Sequence, residues 1–351
     1  MKRLSLSLAL TRSAVVTPLL DGDIEVEGVD LVTSIVSPGD LFWRQLHHQE
    51  FDVSEFSLSS LLILADNGDP TWHAIPVFPT RSFFHTQILV RSDSGINVPG
   101  DLKGRRVGVP EYQQTAALWT RAALQHEFGV FPNELDWVMG RQPLHSHAEV
   151  TGFEPPAGLR LSTVRDGETL GSLVAAGKLD ALIAYRSRNS GLGLGLEPNQ
   201  SNDRSATEGP GIVGTETADL KSEGKLRRLF ANPTAEGIRY FKSTGMFPVN
   251  HVIVIRDSLV RQHPWLPRNL YEAFCRSKEL AFQRLHRHLE LYAALGAVEL
   301  GRVDDTKRAL SFGLRTNRPL LTAAIGYAVE QELLRSSIVP EDLFFPSVLE
   351  S

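Results

Sequence analysis

DLKGRRVGVPEYQQTAALWTRAAL, residues 101–124, holds a strand, a polar turn and a helix in that order. Arg106-Val107-Gly108-Val109 reads as a short buried strand that Pro110 ends. Gln113-Gln114-Thr115 then opens a helix whose apolar positions Ala116, Ala117, Trp119, Ala123 and Leu124 keep a helical period. A strand that stops at a polar turn and feeds a helix leaves backbone N–H groups unpaired at the turn. Together with the helix dipole they suit a carboxylate or phosphate. Glu111, Tyr112, Gln114 and Thr115 would line such a site. Taken alone, the stretch is an ordinary βα turn, and its neighbours must supply the rest.

Toward the N-terminus, Leu4, Leu6, Leu8 and Leu10 alternate with Ser5, Ser7 and Ala9, the period of a strand and not the continuous apolar run of a leader peptide. A second strand is expected over Val29–Ile35 and a helix over Pro38–His48. The run Phe51-Asp52-Val53-Ser54-Glu55-Phe56 reads as a strand ending in Ser57-Leu58-Ser59-Ser60, whose hydroxyls cap the next helix. Two strands, IPVF and TQILVR, flank the joint PTRSFFH at residues 79–85. There Arg81 and His85 lie either side of Phe83 and Phe84. A cation and a titratable ring flanked by aromatics beside a strand end form one way to hold an anionic ring.

Toward the C-terminus, a strand is expected near Trp137-Val138, followed by HSHAE at 145–149. His145 and His147 have a spacing that metals use, but no thiolate accompanies them and the stretch reads as a loop. LDALIAY at 179–185 closes a βαβ unit, with Arg186 and Arg188 directly after the strand end. Residues 190–224 contain GLGLG and NQSNDRSATEGPG with almost no apolar period. The glycines lack dinucleotide-loop spacing, and the region reads as a flexible insertion. Leu226–Phe230 and Ala235–Lys242 are expected as helices, FPVNHVIVI at 247–255 as a buried strand carrying His251, and the rest as mainly helical.

The chain has 351 residues, 42% hydrophobic and 22% charged, more than one core usually organises, so two lobes are expected. A net charge of −5 with no basic run argues against nucleic acid as a partner. No stretch of about 18 apolar residues offers a membrane span. Cys275 is the single cysteine, which rules out an internal disulfide and a multi-thiolate zinc site. The cytoplasm is the expected compartment.

The sequence resembles the 4,5-dihydroxyphthalate decarboxylase family. The resemblance is carried by EGVDL at 27–31, EFDVSEFSLSS at 50–60, IPVFPTRSFFH at 75–85 and residues 101–124. It continues through LDALIAYR at 179–186, TGMFPVNHVIVIRD at 244–257, HPWLPRNLYEAF at 263–274 and GLRTNRPLL at 313–321. It implies an α/β, two-lobed type II periplasmic-binding-protein-like fold with a cleft between the lobes. The chain would cross between lobes near Val90 and near Phe247. Lobe one would then comprise residues 1–91 with 250–351, and lobe two 92–249. The cleft-facing residues it implies are Ser57, Ser59, Arg81, His85, Glu111, Gln114, Thr115, Arg186 and His251. The chain departs from the family pattern at Leu10-Thr11-Arg12-Ser13, where a Cys-Gly-Asp-Tyr-like segment is usual, and at Ser187-Arg188-Asn189, where prolines are usual.

The implied chemistry is non-oxidative decarboxylation of a dihydroxylated aromatic acid, a step in phthalate breakdown. It needs cations for a carboxylate and groups to move protons. Arg81 and Arg186 suit the first task, with Ser57, Ser59, Gln114 and Thr115 as further substrate contacts. His85, His251 and Glu111 suit the second. The phenolate supplies the electrons, so no cofactor is required and no metal is assigned, although a divalent metal is compatible with the chemistry. The partner is a small aromatic carboxylate, and a homo-oligomer is open. Two alternatives stand beside this: a solute-binding protein for the same kind of ligand, and another cytoplasmic enzyme of the same fold.

Overall fold

The computed structural model describes residues 3–141, 146–183, 224–336 and 338–351. The insertion expected at 190–224 therefore lies outside the described residues except for Gly224, as does Arg186.

Two sheets form two lobes. The first contains β1 (Leu4–Leu10), β2 (Val29–Ile35), β3 (Val53–Ser57), β4 (Trp72–Ile75) and β11 (His251–Arg256) in the order β2-β1-β3-β11-β4. β1 runs parallel to β2 and β3, whereas β11 is antiparallel to both of its neighbours. The alternating leucines of β1 produce the expected strand. Leu6, Leu8 and Leu10 pack into the main core, and Ala9 packs on the opposite face with Leu41, Phe42 and Phe51. Helix α1 (Thr17–Leu20) follows β1. Helix α2 (Pro38–His48) supplies Leu41 and Phe42, and α3 (Leu58–Asp66) leaves β3 directly. β3 and β11 each have a strand on both sides, and every residue of the two except Arg256 is buried.

The second sheet contains β5 (Leu89–Arg91), β6 (Arg106–Val109), β7 (Asp136–Met139), β8 (Leu161–Thr163), β9 (Ala181–Leu182) and β10 (Leu226–Arg228), ordered β10-β5-β9-β6-β7-β8. The strand read from residues 101–124 is β6. The helix that follows is α4 (Thr115–Phe128). Gly108 lies in β6 because a Cβ there would come 2.6 Å from Leu182 Cδ2 and 3.1 Å from Leu170 Cδ2. Helices α5 (Ala148–Thr151), α6 (Leu170–Ala175) and α7 (Pro233–Thr244) complete the described part of this lobe.

The two crossings lie side by side. Arg81 and Val249 form an antiparallel bridge, with Ser82 N–H donating to Pro248 O (3.0 Å) and Asn250 N–H to Thr80 O (2.9 Å). The second crossing runs through Pro248, Val249 and Asn250. The first lies ahead of Val90, which already pairs with Ala181 and Arg227 in the second sheet. The first boundary therefore precedes Leu89 instead of following Arg91.

After β11 come α8 (Asp257–Gln262), α9 (Leu266–Ala294), α10 (Leu300–Ala309) and α11 (Leu314–Glu330). The remainder is helical as expected, and α9 is one helix of 29 residues. Leu226–Phe230, expected as a helix, begins instead with the edge strand β10. Its i, i+3 leucines mimic a helical period, but pairing with β5 decides the conformation. α11 reaches onto the second lobe, where Tyr327 packs edge-on against Trp119 of α4 (5.8 Å between ring centres).

Candidate active site

The end of β3 carries three polar side chains where an apolar strand would suffice. Glu55 is fully buried and Ser57 almost so. Glu55 Oε1 accepts from His251 Nδ1 at 2.5 Å and from Thr80 Oγ1 at 3.1 Å, and Oε2 accepts from Thr11 N–H at 2.8 Å. The contact follows from register, because β11 runs antiparallel to β3 with His251 opposite Ser57. Burial opposes the Glu55 charge. The facing His251 imidazole and the Thr11 donors outweigh that cost and hold the carboxyl below its usual range. With Nδ1–H committed to Glu55, the histidine keeps Nε2 for other chemistry.

Ser57 also caps α3, accepting from Ser60 N–H at 3.4 Å. Its hydroxyl lies 3.2 Å from Ser59 Oγ and 3.0 Å from Thr115 Oγ1. Ser59 N–H donates to Thr115 Oγ1 at 3.0 Å, so three hydroxyls close a triangle across the lobes. Thr115 is the first residue of α4, and the polar turn of residues 110–114 therefore faces lobe one. Arg121 fixes that turn from behind. Its buried guanidinium lies 3.7 Å from the centre of the Tyr112 ring and donates from Nη1 to Tyr112 O at 2.7 Å.

Glu111 occupies the same turn and is buried. Oε1 accepts from Arg141 Nη1 at 2.9 Å and from His147 N–H at 3.0 Å, and Oε2 accepts from Gln113 Nε2 at 2.5 Å. Arg141 follows β7 by two residues, and its N–H donates to Pro110 O at 3.0 Å. Burial drives the His147 imidazole down to about 4, against the pull of Glu111 and with help from Arg141. The Phe42 ring lies between the two histidines, 4.8 Å from His251 and 6.4 Å from His147, edge-on to both.

Ser57, Ser59, Thr115, Glu111 and His251 thus come together at the meeting of the lobes. Gln114 is at the N-cap of α4 and partly exposed, but its side chain makes no capping bond. Arg81 and His85 do not form the expected pair. The Arg81 guanidinium turns into lobe one, donating from Nη1 to Phe247 O (3.0 Å) and from Nη2 to Ser311 O (2.9 Å) and Asn317 Oδ1 (2.5 Å). Burial pushes its pKa down to about 9. His85 turns the other way, with Nε2 3.1 Å from Glu236 Oε1 and its ring 4.8 Å from Tyr240. The reason is the shared joint: the Arg81–Val249 bridge pins residue 81 as extended chain, and a 3₁₀ turn starting at Phe84 rotates residue 85 away. Both residues fasten the crossing.

No family model matches the chain. Curated relatives do. The chain is 31% identical to the 4,5-dihydroxyphthalate decarboxylase of Comamonas testosteroni, over all of this chain and 99% of that protein. The chain belongs to the 4,5-dihydroxyphthalate decarboxylase family. The protein of the same name from Pseudomonas putida is 37% identical over 53% of this chain and 72% of its own length. Among solved structures, the desulfurization enzyme DSZB shares the fold at 17% identity with a TM-score of 0.54, covering 99% and 98% of the two chains. The alkanesulfonate-binding protein SsuA from Xanthomonas axonopodis pv. citri does so at 12% identity and 0.51, covering 97% of each. The two lobes are those of the periplasmic-binding-protein-like fold.

Three residues of this decarboxylase-family site escaped the sequence reading. Glu55 gave a signal, a carboxylate inside a strand otherwise apolar or hydroxylic. Arg141 gave the weaker signal of a cation just past a strand end. His147 shows in the sequence only as half of a His-x-His metal-ligand spacing. Here it sits beside a guanidinium, and no group of three metal-binding side chains occurs among the described residues.

Proposed function

We propose that this chain, like its named relatives, decarboxylates 4,5-dihydroxyphthalate or a closely similar dihydroxylated aromatic acid in the cleft between its lobes. The observation that carries the reading is the Glu55–His251 dyad placed beside the hydroxyl triangle, in a chain related over its full length to a decarboxylase. In such a substrate each hydroxyl is para to one carboxylate. Loss of the hydroxyl proton sends electron density to the carbon bearing the carboxylate. A proton then adds to that carbon, the C–C bond breaks, and its electron pair restores the aromatic ring as CO₂ leaves. Ser57, Ser59 and Thr115 would bind the ring hydroxyls, trading their mutual hydrogen bonds for bonds to the ligand. Gln114 borders the same turn and would contact the substrate's edge. His251, oriented by Glu55, would move the proton.

A cytoplasmic setting is part of the proposal. It is supported by a chain with one cysteine and so no internal disulfide. No helix among the described residues is long and apolar enough to cross a membrane. The test is incubation of purified protein with 4,5-dihydroxyphthalate and with dihydroxybenzoates, following CO₂ release and melting temperature together. Stoichiometric release of CO₂ and 3,4-dihydroxybenzoate supports the reading. A ligand-induced rise in melting temperature without CO₂ from any acid would make the chain a binder and refute it.

A further inference from the structure

The lobe-two wall of the site contains a guanidinium that the reading above leaves without a task. Arg141 stands at the carboxyl end of β7, next to the carboxyl end of β6, with Val109 opposite Met139 in the parallel ladder. Ligands of α/β sheets sit outside the carboxyl ends of the strands. The turn after β6 touches lobe one through Thr115, so this end of the sheet is the one that looks across the cleft. We propose that Arg141 receives the carboxylate that the substrate retains, and so selects aromatic 1,2-dicarboxylates over monocarboxylates. This rests on the decarboxylase reading of the same site.

The geometry favours a cation held ready for a ligand. Among the described residues, the hydrogen bonds of the Arg141 side chain all use Nη1, to Glu111 and to the His147 ring. A guanidinium has five N–H donors, and a bidentate carboxylate needs two from one edge. The side chain keeps 15% of its surface exposed, whereas Glu111 keeps 2%. Glu111 is itself committed to three donors, so it fixes Arg141 in place from behind and does not wrap it. Arg81 offers a contrast: it is spent on three acceptors inside lobe one and has none of this openness.

The chemistry chooses which carboxylate Arg141 takes. A cation on the departing carboxylate would stabilise the ground state and fade in the transition state as CO₂ becomes neutral. A cation on the retained carboxylate is equally satisfied throughout and costs nothing in turnover. Arg141 should therefore govern affinity for diacids much more than the rate of the bound complex.

The experiment compares wild type with Arg141→Met and Arg141→Lys. Binding of phthalate (two carboxylates, no hydroxyl) and of catechol (two hydroxyls, no carboxylate) is measured by calorimetry, beside melting temperature and kinetics on 4,5-dihydroxyphthalate. Arg141→Met is expected to weaken phthalate binding roughly 10–100-fold, the value of a charge-assisted hydrogen-bonded pair, and to raise KM similarly. Catechol affinity and kcat should change little, Arg141→Lys should fall between, and added guanidinium ion should partly restore phthalate binding to the Met variant. Equal loss of phthalate and catechol affinity, with a lowered melting temperature, would make Arg141 a structural residue and overturn the proposal. So would unchanged phthalate binding in the Met variant. If wild type binds phthalate but releases no CO₂ from any dihydroxy acid, the decarboxylase reading fails, while the same binding comparison still decides the role of Arg141.

Discussion

His251 donates from Nδ1 to Glu55 Oε1 across 2.5 Å, and the carboxylate that receives this bond has no exposed surface at all. A buried carboxylate facing a histidine orients the ring through the Nδ1–H bond. Glu55→Gln keeps the shape and removes the charge. It should lower kcat on the order of 10²–10⁴-fold, as His251→Ala should, if the ring moves the proton. Stopped assays of CO₂ release on variants with unchanged circular dichroism check this, and near-normal turnover in either variant would remove the dyad from the chemistry.

The same carboxylate sets an acid limit. Its pKa is lower folded than unfolded, so it contributes stability above the usual glutamate value of about 4.5 and loses that contribution as pH falls through the folded value. Urea unfolding of wild type should show a loss below about pH 4.5 that is smaller in Glu55→Gln.

His147 acts in a higher window. Its ring titrates at about 4 folded and at about 6.5 when exposed, so below 6.5 the unfolded chain takes up a proton that the folded chain refuses. Stability should fall as pH drops from 6.5 toward 4, by on the order of 3 kcal/mol at full effect. Glu111, Arg141 and His47 are the ionisable neighbours that act on this ring. In His147→Gln the slope between pH 6.5 and 4 should flatten, and an unaltered slope would assign it to other groups.

Arg81 is expected to matter for stability and not for affinity. Arg81→Met strips donors from Phe247 O, Ser311 O and Asn317 Oδ1 and should cost about 1.5–3 kcal/mol. Melting temperature should drop, with KM for the acid nearly constant. A rise in KM at unchanged melting temperature would restore Arg81 to the ligand.

Gly108→Ala tests the packing of β6. The new methyl meets Leu182 Cδ2 at 2.6 Å, an overpacking worth about 1–3 kcal/mol. Calorimetric melting should register it as a fall in melting temperature, because Leu182, Leu179 and Leu170 enclose the position.

The sequence made the strands and helices legible wherever burial imposes a single period. The leucines of β1 and the helix Pro38–His48 are examples, the latter occurring with those bounds. As cleft-facing residues, Ser57, Ser59 and Thr115 came from the family resemblance and not from any period, and the structure sets their hydroxyls in mutual contact. Arg81 and His85 were misleading because proximity along a chain says nothing about direction, and the pairing of Arg81 with Val249 is a contact over 168 positions. Glu55 escaped for the opposite reason. Its partner His251 is 196 residues away, and only strand register joins them. Leu226 shows the same limit, since an edge strand three residues long has too few positions to display a period.

The position of β11 between β3 and β4 governs how the protein is made. During translation β3 and β4 emerge early, yet the strand that joins them is not synthesised until residue 251. Every described strand of the second sheet lies between residues 89 and 228, so that sheet is synthesised while the first still has an open slot between β3 and its edge strand β4. Two unpaired strand edges around a gap form a template for any extended chain nearby. Chains that end before His251 are therefore expected to aggregate through that slot, which light scattering of such truncations would register.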